Sequence, residues 1–471
     1  EFSEVQLREV NFKKKHLMKT HHLIFLVTAM FVVLFYDQES GLNIGILGIL
    51  VAVLTYFNTE KRFKTRTFYS VLATSILSSI AFAWYGDFAS FLAIFSSLFL
   101  LGFTSKNKEL KSILVIPVFA INFVTFIYRV FQLEQWLPQR KTESFWQKIL
   151  AVVLIPAFLL LIFFAIYTHG SSHFASLFSD YELDINLWQV IALSILGFFL
   201  AFNYFNFSIY EFFIKNNHYL KNDFLNEDKK LKHTYDFLDL PFERLSGVVS
   251  FVALNILLLF FIITFNYEQF VELPKATANQ LAEETHERVG AVIASIVMAI
   301  GVIMFYFKGS FNFDNQAKSF KILAKIWVFL NAVLVISAFA KNSEYVLNLG
   351  LTYKRLGVYA FLILAIIGLI FTFIKIHQQK TNAYLFNQMV WYFYGTILVC
   401  SFINWGNIAT VYNIKNEKAD FKFLYSLNYN DKILQEKFPK EMAERANYEK
   451  ELNDKKPFLS KIIYYEFLNS K

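Results

Sequence analysis

Charged residues, cysteine, proline and glycine are all scarce in this chain of 471 residues. Only 17% of the residues are charged and 56% are hydrophobic, whereas an average globular protein has about 25% charged residues. This balance excludes an ordinary soluble enzyme. The 7 prolines and 16 glycines exclude collagen-like and proline-rich disordered chains. The single cysteine, Cys400, excludes an internal disulfide and a zinc or iron–sulfur site made of cysteines.

The chain instead has many long apolar segments, as membrane proteins do. Twelve of them are candidates for helices that cross a bilayer core about 30 Å thick. They lie at 22–36, 42–57, 67–85, 89–103, 112–131, 148–167, 187–207, 247–265, 290–307, 321–339, 355–376 and 387–405. No small-residue cleavage pattern follows the first segment, so we expect an uncleaved helix rather than a signal peptide. The expected fold is an all-α polytopic transmembrane bundle.

Lysine and arginine residues are unevenly distributed among the loops. They concentrate before the first segment and in residues 58–66, 104–111, 129–148 and 209–246. None occurs in residues 37–41, 86–88 and 168–186. Basic loops stay in the cytoplasm, so the N-terminus is predicted inside and the C-terminus outside. Because basic loops flank 112–131 on both sides, we expect this segment to be re-entrant or interfacial, which leaves about eleven spans.

The composition changes after residue 405. Residues 406–471 hold twelve Lys and Arg residues and ten Asp and Glu residues, which predicts a helical, mixed-charge tail outside the membrane. The whole chain then divides into a cytoplasmic segment 1–21, an N-terminal helical region 22–131, a main transmembrane bundle 148–405 and the tail 406–471. The net charge of +8 follows from the cytoplasmic loops, so nucleic acid is not expected as a partner.

The predicted spans contain almost no ionisable side chains. Lys325 lies about one turn inside its helix, where its ammonium group reaches the surface. The other embedded polar residues are mainly amides, which interhelical hydrogen bonds explain, namely Asn122, Asn203, Asn255, Asn331 and Asn404. The lack of an embedded carboxylate argues against a proton-coupled pump.

Polar residues gather instead at the predicted outer ends of three spans, within 281–288, 350–355 and 407–413. Arg355 is the most informative of them, because the positive end of a helix dipole disfavours a cation at a helix start. It is expected to meet an anionic ligand group, and a structural ion pair with Glu287 or Glu283 is the alternative. The candidate ligand-binding residues are His286, Glu287, Thr352, Arg355, Tyr412 and Asn413.

Metal-dependent chemistry has weaker signals. His169 and His173 could share a helix face and bind zinc with a third ligand such as His286 or Glu287. Clustered acids for a divalent metal on the outer face occur at Asp180, Glu182 and Asp184. No P-loop, dinucleotide-binding, HExxH or GxSxG pattern occurs. No cofactor is expected, and the catalytic residues of any enzyme remain unassigned.

Several elements together resemble a family of uncharacterised bacterial polytopic inner-membrane proteins known only as a domain of unknown function. The likeness spans roughly 22 to 435 and is carried by residues 34–42, 243–258, 285–287, 307–313, 350–359, 408–413 and 420–427. The Gly-Leu-Thr-x-x-Arg element at 350–355 is its most specific part. In such proteins Gly typically follows the His-Glu pair, and here Arg288 takes that place. The resemblance implies a bacterial inner-membrane protein and no particular activity.

These observations predict a protein that handles or transports an envelope-associated small molecule or lipid at its outer face. In this interpretation Arg355 holds an anionic group, Glu287 pairs with it or acts as a base, and Thr352 and Asn413 orient the ligand. The expected partners are the lipid bilayer and a bound lipid. Two alternatives stay open: a structural or assembly subunit that binds a protein partner through 406–471, and a membrane-embedded lipid-linked transferase.

Overall fold

A computed structural model of the chain confirms the all-α polytopic bundle. It describes residues 18–138, 148, 151–152, 155–171, 173–174, 186–231, 237–271, 278–418, 420–443 and 455–469, without the side chains of 278–288 and a few other helix residues. The larger helices are α1 (Thr20–Phe35), α2 (Leu42–Asn58), α3 (Arg66–Tyr85), α4 (Phe88–Lys106), α5 (Val115–Val124), α6 (Phe126–Phe131), α7 (Leu133–Trp136), α8 (Ile155–Gly170), α9 (Leu187–Phe205), α10 (Glu211–Asn216), α11 (Leu240–Phe270), α12 (Ala278–Tyr306), α13 (Lys318–Leu349), α14 (Tyr353–His377) and α15 (Asn382–Phe402). The tail adds α16 (Trp405–Lys415), α17 (Phe421–Tyr425), α18 (Asp431–Lys437) and α19 (Ile463–Asn469).

Helices α1 to α4 and α9 pack into what we call the N-terminal sub-bundle. Small residues bring α2 and α3 close together, as in other membrane helices. A Cβ atom at Gly45 would lie 2.7 Å from the carbonyl oxygen of Ser79 and 2.8 Å from the Cβ of Ala83. Aromatic side chains such as Phe68 and Phe202 fill the core without exposed area. This sub-bundle therefore combines close backbone contacts with an aromatic interior.

The segment 112–136 enters and leaves at the same end of α9. It is broken at Thr125 into α5 and α6, and α5, at ten residues, is too short to cross a bilayer. Asn122 exchanges two hydrogen bonds of 2.8 Å with the backbone of Ser208, just after α9. Arg129 donates to the carbonyl of Asn206 at 2.6 Å. Both halves of the segment therefore lie at the C-terminal end of α9, and its re-entrant or interfacial position in the membrane stays a prediction.

Helices α11 to α14 form the C-terminal sub-bundle, whose core is rich in Phe. Helix α15 packs against both α14 and α4 and so joins the two sub-bundles. Its Tyr394 hydroxyl forms hydrogen bonds with Ser97 (2.8 Å) and Thr74 (2.6 Å) of the N-terminal sub-bundle. A buried hydroxyl cluster therefore fixes α15 at the boundary.

Cations stabilise several helix C-termini, where the last four carbonyl groups have no partner within the helix and carry negative dipole charge. Each of three side chains donates to such a carbonyl: Lys375 to Phe307 (2.6 Å), Lys106 to Phe205 (2.7 Å) and Arg129 to Asn206 (2.6 Å). Lys375 is completely buried. Lys375 is therefore an exception to the expectation that the spans contain almost no ionisable side chains. A backbone carbonyl, rather than a carboxylate, accepts the hydrogen bond of its ammonium group.

The tail covers one end of both sub-bundles. Helices α16 to α18 pack on the ends of α13 and α14 through an apolar cluster, the tail cluster, made of Val346, Leu351, Ala409, Leu424, Leu427, Leu434 and Met442. Residues 457–466 lie on the start of α2, where the amide of Leu42 donates to the carbonyl of Lys461 at 3.1 Å. Tyr429 donates its hydroxyl to the carbonyl of Tyr85. Burial, reinforced by the Asp87 carboxylate, raises the pKa of the Tyr429 phenol and keeps it a donor.

We call this end, formed by residues 36–42, 84–88, 346–356 and the tail, the tail face. The opposite end, which we call the basic end, contains residues 58–66, 104–111 and 205–217. Basic loops 58–66 and 104–111 therefore lie opposite the tail, and the orientation of the bundle in the membrane stays a prediction.

Seven helices in the described part of the chain are long and apolar enough to cross a membrane. The number becomes eight when α15 and α16, which meet at a bend of 66°, are taken as one span. Helices α1 and α2 and the stretch 112–124 are apolar but shorter. The multi-pass architecture follows from these helices, and the number of eleven spans stays a prediction.

Candidate functional site

The element Gly350 to Arg355 connects α13 to α14 at the tail face. Gly350 ends α13 with a φ of 84°, which only glycine adopts readily. Leu351 is buried in the tail cluster. The Thr352 hydroxyl accepts a hydrogen bond from the amide of Arg355 at 3.3 Å and so caps the start of α14. The motif thus encodes a tight turn from one long helix into the next.

Asn413 of α16 holds this turn in place. Its Oδ1 accepts a hydrogen bond from the amide of Leu351 at 2.6 Å, and its Nδ2 donates to the carbonyl of the same residue at 2.9 Å. The side chain is completely buried. Asn413 therefore acts as a backbone clamp that ties the tail to the α13–α14 connection, not as a group that faces a ligand.

Arg355 caps the preceding helix. Its Nη1 donates to the carbonyls of Leu349 (2.9 Å) and Gly350, and its guanidinium lies 4.0 Å from the ring centre of Tyr345. The negative end of the α13 dipole explains how a cation is tolerated at the start of α14. Among the described residues, the Nε and Nη2 groups of Arg355 have no hydrogen-bond partner. A planar pair of donors of this kind matches the two oxygens of a carboxylate or phosphate.

A cavity of about 430 Å³, which we call the rim cavity, opens beside this arginine. Its charged lining residues are the two cations Lys354 and Arg355, and no described lining residue is acidic. Residues from α12, α13, α14 and the tail complete the wall, namely Val289, Asn342, Tyr345, Thr352, Tyr353, Val358, Phe423, Ser426 and Leu427. The described lining of the rim cavity is thus positively charged and comes from four separate elements.

A larger cavity of about 720 Å³ runs between α14 and α15, and we call it the aromatic groove. Trp391, Tyr392 and Trp405 line it together with apolar residues. Gly357 and Gly395 border open space, since a Cβ atom at either position would meet nothing within 4 Å. Tyr353 lines both the groove and the rim cavity. A polar compartment and an apolar compartment therefore meet at this residue.

The structure brings some of the sequence-predicted site residues together. Thr352 and Arg355 line the rim cavity. Tyr412 packs on the tail cluster beside the clamp residue Asn413. The side chains of His286 and Glu287 lie outside the described residues, but their backbone is helical in α12, and Val289 in the next turn lines the cavity. The N-terminal part of α12 therefore reaches the same place as Arg355.

Sequence reasoning missed other residues of the site. Asn342 donates to the carbonyl of Arg355 at 3.2 Å and lines the rim cavity. Tyr345, three residues later on α13, supports the guanidinium. Both lie inside a long apolar helix, and the only signal available was that an amide and a tyrosine stand one turn apart near its end.

The residues proposed for a metal site lie partly outside the described ranges. His169 is exposed at the end of α8, and no group of three or more His, Cys, Asp and Glu residues in the described ranges is placed to hold a metal ion. Asp180, Glu182 and Asp184 lie outside the described residues.

Helices of this length and apolarity, arranged around a cavity at one end, define the class of integral membrane helical bundles. The chain belongs to the family of the domain of unknown function DUF4153, whose model matches residues 45–433. The match includes every residue that lines the rim cavity and the aromatic groove. No curated protein and no solved structure matches the chain.

Proposed function

We propose that this protein binds, and handles or transports, an envelope-associated amphiphile with an anionic headgroup, such as a membrane lipid. The observation that carries the proposal is the junction of the cationic rim cavity with the aromatic groove at Tyr353. A lipid needs both compartments side by side, because its headgroup and its chain have opposite solvation requirements.

The headgroup is recognised by the donors left over at the start of α14. Arg355 is fixed by its bonds to the end of α13 and by Tyr345, so its Nε and Nη2 groups bind a phosphate with little further loss of side-chain entropy. Lys354 supplies a second cation. Asn342 and Thr352 support this arrangement by binding the backbone of α14.

The chain of the amphiphile lies in the aromatic groove. This groove follows the first turns of α14 and the second half of α15, which are parts of apolar, membrane-length helices. The open space at Gly357 and Gly395 admits a chain without displacing side chains. Aromatic residues at such a level are typical of the boundary between lipid and water.

The tail face is assigned to the extracytoplasmic side of a bacterial inner membrane. The support is the distribution of basic loops, since 58–66 and 104–111 lie at the basic end, away from the tail. The ligand would then be taken from, or delivered to, the outer leaflet.

Binding of a fluorescent phosphatidylglycerol to the purified full-length protein in zwitterionic detergent tests this function. Gly395→Phe fills the groove and is expected to weaken binding about tenfold or more, because several methylene groups lose their contacts. Gly301→Phe is the matched control, since Gly301 also has open space around it but lies on α12 away from the groove.

The same experiment tests headgroup binding with the variants Lys354→Met and Arg355→Lys. Each removes charged hydrogen bonds to the phosphate, and we expect binding about tenfold weaker for each. Lys422→Met, which removes an exposed lysine on the tail face outside the cavity, is expected to bind normally. Unchanged binding by Gly395→Phe and both headgroup variants would show that the rim cavity and the groove are not the site.

The alternatives have less support from the described residues. A lipid-linked transferase would need the acids Asp180, Glu182 and Asp184, and stoichiometric zinc or manganese in the purified protein would favour it. An assembly subunit would present the tail 406–471 to a partner, but its apolar residues in the tail cluster are already packed on the bundle.

A further inference from the structure

A second pair of adjoining cavities lies in the N-terminal sub-bundle. One, of about 320 Å³, opens at the basic end between the C-terminal ends of α2, α4 and α9, and we call it the basic cavity. The other, of about 250 Å³, lies between α1, α2, α4 and α9, and we call it the inner cavity. Tyr204 and Phe205 line both. We infer that the two together form a second lipid site, for one membrane lipid with an anionic headgroup.

The basic cavity has the donors that a phosphate requires. The Lys106 ammonium donates to the carbonyls of Phe205 (2.7 Å) and Phe207 (3.2 Å) and lies 4.2 Å from the centre of the Phe207 ring, and its third N–H has no hydrogen-bond acceptor among the described residues. Arg62 lies in the same lining and forms a 2.7 Å ion pair with Glu60. Two cations against one carboxylate leave the cavity positively charged.

Two hydroxyl groups at the wall of the basic cavity are held by the backbone. Those of Thr55 and Thr59 donate to the carbonyls of Val51 (2.7 Å) and Thr55 (2.6 Å), and the Thr55 hydroxyl lies 3.1 Å from the Tyr204 hydroxyl. Tyr204 therefore turns its hydroxyl to the polar side while its ring belongs to the wall of the inner cavity. This is the arrangement expected at the level where a lipid headgroup meets its chain.

The inner cavity has the shape and chemistry for a hydrocarbon chain. Apart from Tyr204 its lining residues are all apolar. It extends along α9 from Gly197 to Phe205, a length of about 12 Å at 1.5 Å per residue. Gly48 and Gly197 line it where helices pack closely, since a Cβ atom at these positions would meet Ser79 and Phe31, respectively. A free phosphate would need no such compartment, so the ligand is a lipid.

This site is independent of the rim cavity. Helix α2 starts at the tail face with Leu42 and ends at Asn58 beside the basic cavity, so its 17 residues separate the two ends by about 25 Å. The two sites share no lining residue. One can be lost without the other.

Native mass spectrometry of the full-length protein tests the inference. The protein is equilibrated with detergent micelles containing equal amounts of phosphatidylglycerol and phosphatidylcholine. Lys106→Met and Leu200→Trp, which fills the inner cavity, are expected to lose one bound phosphatidylglycerol, with affinity about tenfold lower. Lys108→Met, two residues away and outside the lining, is the matched control and retains that lipid.

Lys106 also stabilises the end of α9, so Arg62→Gln serves as a second headgroup variant that leaves this contact intact. If the three variants retain as much phosphatidylglycerol as Lys108→Met, the second site is refuted. If the headgroup variants weaken phosphatidylglycerol binding but Leu200→Trp does not, the lipid chain does not lie in the inner cavity and the proposed two-cavity site is wrong. Gly395→Phe leaves this result unchanged, so failure of the proposed function at the rim cavity is seen separately.

Discussion

At the scale of single residues, the run from Gly350 to Arg355 has a physical role at nearly every position. Gly350 supplies a left-handed turn, Thr352 caps the helix that follows, and Arg355 caps the helix that precedes. Within the described residues, Asn413 is the only buried side-chain amide of the tail that contacts this run. Both of its polar side-chain atoms form hydrogen bonds with backbone groups. The most specific motif of the sequence is thus first a structural device, and the donors it leaves over form the candidate site.

Gly350→Ala is expected to lower the free energy of unfolding by about 1–3 kcal/mol. The new Cβ would lie 2.5 Å from Asn413 Oδ1, and the φ of 84° disfavours any side chain. The measurement is thermal unfolding in detergent micelles. Gly301→Ala, in a helix interior with open space around it, should instead be neutral or stabilise by about 0.5–1 kcal/mol. Equal effects of both variants would contradict the role given to Gly350.

The sequence predicted part of this site. Arg355 stood out because a cation is unfavourable at a helix start, and the predicted partner, an anionic ligand group or else Glu287 or Glu283, stays a prediction. Its observed partners are the carbonyls of Leu349 and Gly350, and backbone groups leave no trace in residue type. Asn413 was selected as a polar residue, but its burial depends on how the tail folds back, which no local pattern encodes.

At the scale of elements, the ends of several helices contact segments that are distant in the sequence. The apolar and aromatic residues between Pro457 and Leu468 predict an amphipathic helix on the membrane surface or against the bundle, and the structure places their described part against the bundle. The amide of Glu39 donates to the Ser460 hydroxyl at 2.9 Å, and Ile462 fills the space beside Gly86. The apolar face of this element could be read from the sequence, whereas its docking position depends on the two glycines Gly41 and Gly86.

Gly41→Leu is expected to release the segment 457–466 from the start of α2. A Cβ atom at Gly41 would lie 2.5 Å from the carbonyl carbon and oxygen of Ser460, so the hydrogen bonds of this contact break. Limited trypsin digestion should then cleave after Lys461 about tenfold faster, since two lost hydrogen bonds correspond to roughly that factor. Gly170→Leu, at a position with open space, is the control. Unaltered cleavage in Gly41→Leu would show that the segment does not depend on this contact.

At the scale of the whole molecule, composition and loop charge carried most of the prediction. The all-α membrane bundle follows from apolar length, whereas the re-entrant or interfacial form of 112–131, inferred from the positions of Lys and Arg, stays a prediction. The division into two packed sub-bundles does not follow from either, because α9 packs on α1 across a long stretch of sequence. Contacts of that kind depend on shape, and apolar helices of similar composition carry little information on which neighbour each one takes.

Cysteine accessibility tests the topology of the segment 112–136. In a Cys400→Ser background, Gln135→Cys is expected to react with a membrane-impermeant maleimide from the same side as Lys108→Cys and from the opposite side to Lys418→Cys. The reason is that both ends of this segment lie at the basic end, whereas Lys418 belongs to the tail face. Labelling of position 135 together with 418 would show that the segment crosses the membrane.

The contact between the start of α2 and Ser460 joins residues that are 421 positions apart in the chain. At a synthesis rate of about 5–20 residues per second, the partner of Glu39 leaves the ribosome roughly 20–80 s after Glu39 itself. During that interval the first four helices are already in the bilayer without their cover at the tail face. The early part of the protein must therefore persist as an unfinished intermediate. The tail face is the last part of the molecule to be covered, so cellular quality control has the longest time to act there.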